Sequence, residues 1–187
     1  DNGPVLDDGY VDDAIEKLGD HMPTGELRGG KYSLYEAGTR VPFVTYWKGT
    51  IEPGSSDAII SQIDWLSSLS SLMGDEKQEL DSENHMNLLL GKSNKGRDDV
   101  VLEATSRTAY RHGDWVLIPP YPGPKMFLTK GIETGNGDEY QLYNLAEDVS
   151  QKNNLAEKMP EKRDEMMERF LTIVGDAYEN TSRLRFD

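Results

Sequence analysis

Two short strings in this chain carry side chains suited to anion and metal chemistry. Glu26-Leu27-Arg28-Gly29-Gly30-Lys31 sets a guanidinium and an ammonium on either side of two glycines. Glycines admit close backbone approach, and two flanking cations suit an oxyanion. A lysine holds such a group as a compact point charge. Asp1-Asn2 puts a carboxylate beside an amide oxygen, ligands that calcium or magnesium accept. Asp1-Asn2-Gly3-Pro4 is equally a turn string, and calcium wants about six to eight oxygens. His21, in Asp20-His21-Met22-Pro23, is a candidate general acid or substrate contact, or simply a loop residue. Arg28 and Lys31 also have plain surface readings, Arg28 with Glu26 or Glu36 as its salt-bridge partner. Glu36 and Arg40 read as an internal ion pair. The acids Asp7, Asp8, Asp12 and Asp13 read as a solvated loop, and His85 and His112 as non-catalytic.

The elements that must position these groups follow from local pattern. Residues 1–30 are rich in Gly, Pro and Asp and read as loop, with a short helical possibility at 11–18. Val41-Pro42-Phe43-Val44-Thr45-Tyr46-Trp47 suits a buried strand. Ser61 with Asp64 is a capping-box pattern, followed by Ile63, Leu66, Leu69 and Met73 at helical spacing and a stop at Gly74. Residues 75–98 are polar and read as loop and internal boundary. Residues 100–104 then read as a strand. Residues 108–111 and 115–118 flank Gly113-Asp114 as a hairpin, and 140–143 read as a further strand. Pro160 opens an amphipathic helix carrying Met166, Phe170 and Val174. Trp47, Trp65 and Trp115 read as core. The second half is thus a small antiparallel sheet with one C-terminal helix. The first half has too few strands for a self-contained α/β layer.

Bulk composition narrows the partners. The chain has 187 residues, 36% hydrophobic and 29% charged, which is globular rather than disordered composition. A formal net charge of -14 repels nucleic acid and anionic lipid, so neither is an expected partner. With no cysteine, disulfides and thiolate metal sites are excluded. The chain opens on Asp rather than Met, so it is expected to be a piece of a longer protein. Asn180-Thr181-Ser182 fits a glycosylation sequon.

The string Leu27-Arg28-Gly29-Gly30-Lys31-Tyr32, then Tyr35-Glu36-Ala37-Gly38-Thr39-Arg40-Val41-Pro42-Phe43, closely resembles a signature region of the type I sulfatases. Pro53-Gly54, Ser61-Gln62-Ile63-Asp64, Trp115-Val116-Leu117-Ile118 and Tyr140-Gln141-Leu142-Tyr143-Asn144-Leu145 extend the resemblance in order. It is interrupted at residues 5–25, 75–98 and 120–138.

The resemblance implies an α/β fold of the alkaline-phosphatase type. Residues 1–75 would be the end of its catalytic domain. Residues 76–187 would be a C-terminal subdomain with a four-stranded antiparallel sheet and a helix. It implies that Lys31 contacts the sulfate group and that Asp1 and Asn2 form half of a calcium site. Arg28 and His21 are further substrate-binding candidates. It implies hydrolysis of sulfate esters, with carbohydrate sulfates as the expected substrates. The family's formylglycine nucleophile arises from a Cys/Ser-x-Pro-x-Arg motif, which these residues do not contain. The expected reading is a C-terminal portion, inactive alone and poor at binding calcium. Its missing N-terminal part is its first partner, and its expected location is periplasmic or secreted. Two other readings stay open. One is a phosphodiesterase or phosphonate hydrolase of the same superfamily. The other is a non-enzymatic glycan-binding or assembly module.

Overall fold

The computed structural model describes residues 2–5, 9–75 and 81–178. Asp1, Asp7, Asp8 and the sequon Asn180-Thr181-Ser182 lie outside the described residues. The chain packs as two compact units, residues 1–41 with 101–187, and residues 42–100.

A four-stranded sheet organises the first unit. Its strands are β1 (Asp99–Ala104), β2 (Arg107–His112), β3 (Trp115–Ile118) and β6 (Gln141–Asn144), in the order β1-β2-β3-β6. β2 and β3 pair antiparallel with Tyr110 opposite Leu117, around the Gly113-Asp114 turn that the sequence marks. β3 and β6 pair antiparallel with Val116 opposite Tyr143. The β1–β2 turn had no glycine to announce it. Thr105 and Ser106 both take positive φ, 49° and 60°, the backbone of a type I′ hairpin.

Period-two alternation gives the sheet two apolar faces. Tyr110, Leu117 and Leu142 point one way and pack with Ala156, Met166 and Phe170. The latter two lie on α4 (Pro160–Val174), which starts on its proline as expected. Burying Met166 and Phe170 completely contributes about 1.5–3 kcal/mol each. Ala109, Val116, Ile118 and Tyr143 point the other way and pack with Leu34, Tyr35 and Tyr121. The loop around residues 28–40 is therefore laid on the sheet face opposite α4. Within it, α1 (Glu36–Thr39) makes a single turn. A small hairpin, β4 (Met126–Phe127) with β5 (Ile132–Glu133), lies in a segment where no strand was expected.

Several expectations are corrected. Residues 11–18 form turns, not a helix. Residues 41–47 are not a strand. Val44 and Tyr46 are 87% and 83% exposed, and Phe43 and Trp47 are exposed as well. A strand exists only where a neighbour takes its ladder hydrogen bonds, and no described strand lies alongside. Residues 75–98 contain a short helix, α3 (Met86–Leu89), where only loop was expected.

The helix α2 (Asp64–Leu72) forms as expected and ends in Gly74 at φ 81°. Its orientation is inverted. Asp64, Ser67 and Ser68 are buried, while Leu66, Leu69 and Met73 are 55%, 42% and 78% exposed. Trp47 and Trp65 are thus not core residues here, whereas Trp115 packs beside Leu117 and Leu142. No helix among the described residues is long and apolar enough to cross a membrane.

Candidate functional site

The loop carrying Lys31 is held by backbone contacts on both sides. Gly3 donates its N–H to the Gly38 carbonyl at 2.9 Å, and Lys31 donates to the Pro4 carbonyl at 2.9 Å. Residues 2–4 therefore run alongside Gly30-Lys31 and α1. Both contacts demand glycine. A Cβ on Gly3 would sit 1.6 Å from the Ala37 oxygen, and one on Gly30 would sit 2.8 Å from the Pro4 oxygen. The close approach that the Gly-Gly pair promised is thus made to the protein's own backbone.

Below this ladder the loop is anchored on the sheet. Leu34 donates to the Thr134 carbonyl at 2.9 Å. The Glu36 amide donates to Gln151 Oε1 at 2.8 Å. Gln151 is completely buried and sits at φ 48°. The Glu36 carboxylate, also buried, pairs with Arg40 at 3.5 Å, as expected, and with Arg111 on β2 at 3.3 Å.

Arg28 pairs with neither Glu26 nor Glu36. Its Nε and Nη2 donate to both Glu133 oxygens at 2.7 Å, a bidentate fork. Nη1 donates to the Gln151 carbonyl at 2.6 Å, and the guanidinium lies 4.0 Å over the Tyr35 ring. The fork holds the Glu133 carboxyl below the usual carboxylate range. Arg28 therefore ties the loop to β5, across 105 residues of sequence that give no local signal of the pairing.

Lys31 is different. It is half-buried, and among the described residues its ammonium has no carboxylate partner. Nζ lies 5.6 Å from the Tyr32 ring centroid. The loop thus offers one uncompensated cation for an anion. His21 is exposed on a turn, and its ring makes no hydrogen bond among the described residues. Asn2 is exposed and sits one residue from the Gly3–Gly38 contact. Among the described residues no group of three or more His, Asp or Glu side chains could hold a metal ion.

A second polar centre, unseen in the sequence, lies within residues 42–100. Asp64 is fully buried and accepts the N–H groups of Ser61 and Glu83, each at 2.9 Å. Arg97 Nε donates to Asp64 Oδ2 at 2.8 Å, and Arg97 Nη1 pairs with Glu83 at 3.0 Å. The buried His85 faces the same carboxylates, with Nε2 3.2 Å from Glu83. The contact to Ser61 is one half of the capping box. The rest of this network only the fold reveals.

Residues 1–75 match the family model described as Sulfatase. A curated N-acetylgalactosamine-6-O-sulfatase of Bacteroides thetaiotaomicron is 44% identical over 175 residues, 90% of this chain and 34% of that protein. Over residues 1–75 the chain carries the sulfatase family's pattern. It spans about a third of the length of that relative. An arylsulfatase A of Homo sapiens is 41% identical over 51 residues, 27% of this chain and 10% of that one.

Solved structures agree. One from work on the metabolism of multiple glycosaminoglycans by Bacteroides thetaiotaomicron superposes with a TM-score of 0.88 at 41% identity, over 92% of this chain and 37% of that one. A sulfatase from Pseudoalteromonas shares the fold at 20% identity, with a TM-score of 0.62 over 96% of this chain and 37% of that one. The antiparallel sheet with its C-terminal helix is thus part of a sulfatase fold.

Proposed function

We propose that this chain is the C-terminal part of a hydrolase that cleaves sulfate esters of carbohydrates, with Lys31 contacting the sulfate group. The observation that carries this reading is the Lys31 ammonium, without a carboxylate partner among the described residues and held on a loop whose backbone is bonded on both sides. Charge on a sulfate group redistributes as the S–O bond breaks. A fixed ammonium in a shielded site stabilises that charge far better than water does. The relative's name points to a 6-O-sulfated N-acetylgalactosamine as the first substrate to try. The attacking group comes from sequence outside these residues. In the complete protein, Asp1 and Asn2 would supply two oxygen ligands to a calcium ion whose other ligands also lie outside. No step is assigned to that ion.

The exposed apolar side of residues 42–73 supports the same reading. Phe43 and Trp65 meet with ring centroids 5.8 Å apart, joining residues 43–47 to the open side of α2. A patch of this kind marks a covered surface. We propose that the N-terminal remainder of the protein covers it. The chain produced alone is expected to bind a hydrophobic dye and to self-associate. The double change Leu66→Lys with Leu69→Lys should suppress both, with unfolding stability held within about 0.5 kcal/mol. Dye fluorescence, sedimentation and urea unfolding check this. A soluble monomer that ignores the dye would count against the covering.

The function itself is tested with the full-length protein, by sulfate release from 6-O-sulfated N-acetylgalactosamine set against hydrolysis of an aryl phosphate. Sulfate release should be the faster by at least about tenfold in kcat/KM, a difference of about 1.4 kcal/mol. Faster phosphate hydrolysis would instead make this a phosphoester hydrolase.

A further inference from the structure

We propose that Tyr32 and Phe127 form an aromatic clamp that positions the Lys31 ammonium, which makes the β4–β5 hairpin part of the sulfate site. The inference rests on the reading of Lys31 as the sulfate contact. It begins with strain. Tyr32 sits at φ 77°, a conformation that a bulky residue rarely adopts. Such outliers persist where surrounding structure holds them, and they concentrate at functional sites.

The ring is what that backbone delivers. It stacks on Phe127 with centroids 5.4 Å apart and planes at 22°. It also lies within cation–π range of the Lys31 Nζ at 5.6 Å. The hairpin that carries Phe127 is itself pinned to the loop. Arg28 grips Glu133, Leu34 bonds to Thr134, and Gly30 lies against Ile132.

A ring positions an ammonium without neutralising it. A carboxylate partner would hold Lys31 equally well, but would compete with an incoming anion. The ring limits the flexible four-carbon stem and leaves the charge available. Less freedom is then lost when sulfate arrives.

The test uses the full-length protein and a sulfated sugar. Tyr32→Leu should lower kcat/KM about tenfold, mainly through kcat. Tyr32→Phe keeps the ring and should stay within about twofold. Tyr32→Gly relieves the strained backbone, so it should remain folded and yet lose as much activity as Tyr32→Leu. A second readout follows position directly. In protein with 13C-methylated lysines, the NMR signal that vanishes in Lys31→Arg should be shifted upfield by the ring, and should return downfield in Tyr32→Leu. Full activity in Tyr32→Leu and Tyr32→Gly, or a Lys31 signal that does not move, overturns the clamp alone. So does a Tyr32→Phe enzyme as impaired as Tyr32→Leu. A wild type that releases no sulfate overturns the reading of the site, and the purpose of the clamp with it.

Discussion

Lys31→Met in the full-length protein is expected to lower kcat/KM for a sulfate ester by about 100- to 1,000-fold, the effect typical of removing one preorganised charge-stabilising group. Stability should hardly change. Lys31 has no carboxylate partner among the described residues, so its loss strands no opposite charge there. Its backbone N–H to Pro4 survives the change to methionine. Methionine keeps most of the apolar stem while deleting the charge. Lys31→Arg should recover only part of the activity, because a planar fork presents its charge differently from a compact ammonium. Initial rates set beside urea unfolding separate the two effects. A Lys31→Met enzyme with wild-type kcat/KM would remove Lys31 from the site. A large loss of stability would show that its role is structural.

The largest effect on stability is expected at Asp64, not in the signature loop. Asp64→Ala should destabilise the unit formed by residues 42–100 by about 3–5 kcal/mol, the cost of breaking a buried ion pair from one side. The change leaves the nearly buried Arg97 guanidinium with Glu83 alone as its carboxylate and deprives the Ser61 and Glu83 amides of their acceptor.

The same carboxylate predicts a pH dependence. Burial pushes its pKa up, but the Arg97 guanidinium and the two amides outweigh burial and hold it below the ordinary value. The folded-state pKa therefore lies below the unfolded one, about 3.9. Its stabilising contribution is present above that value and is lost as pH falls through the folded one. Urea midpoints for this unit, followed by Trp47 and Trp65 fluorescence, should drop from pH 7 to pH 3 in the wild type. Asp64→Asn should start lower at pH 7 and show less of that drop. Equal acid sensitivity in the two proteins would place the titrating group elsewhere.

Legibility followed the range of each interaction. Gly113-Asp114 marks the β2–β3 hairpin because a turn is decided by the residues in it. Pro160 and the spacing of Met166 and Phe170 mark α4 for the same reason. Thr105-Ser106 hid the β1–β2 turn, since neither residue is a usual choice for positive φ. The β4–β5 hairpin, at two residues per strand, is too short for alternation to register. In the loop, Lys31 was singled out because the resemblance names its position. Glu133, Gln151 and Phe127 were not readable, because each meets the loop from about a hundred residues further along.

Sequence alone therefore determined the family resemblance, the presence of two cations in the loop, and the order of the helix and strands in the second half. These are properties of short strings, where propensity, turn chemistry and motif spacing act on neighbouring residues. Only the tertiary structure decided which cation stays available. Arg28 and Lys31 flank the same glycines, yet one is gripped by Glu133 and the other, among the described residues, meets an aromatic ring and no carboxylate. It also decided which face of α2 is covered, burying serines and leaving leucines open. Charge pairing and burial both depend on what distant segments bring alongside, and local pattern carries no record of that.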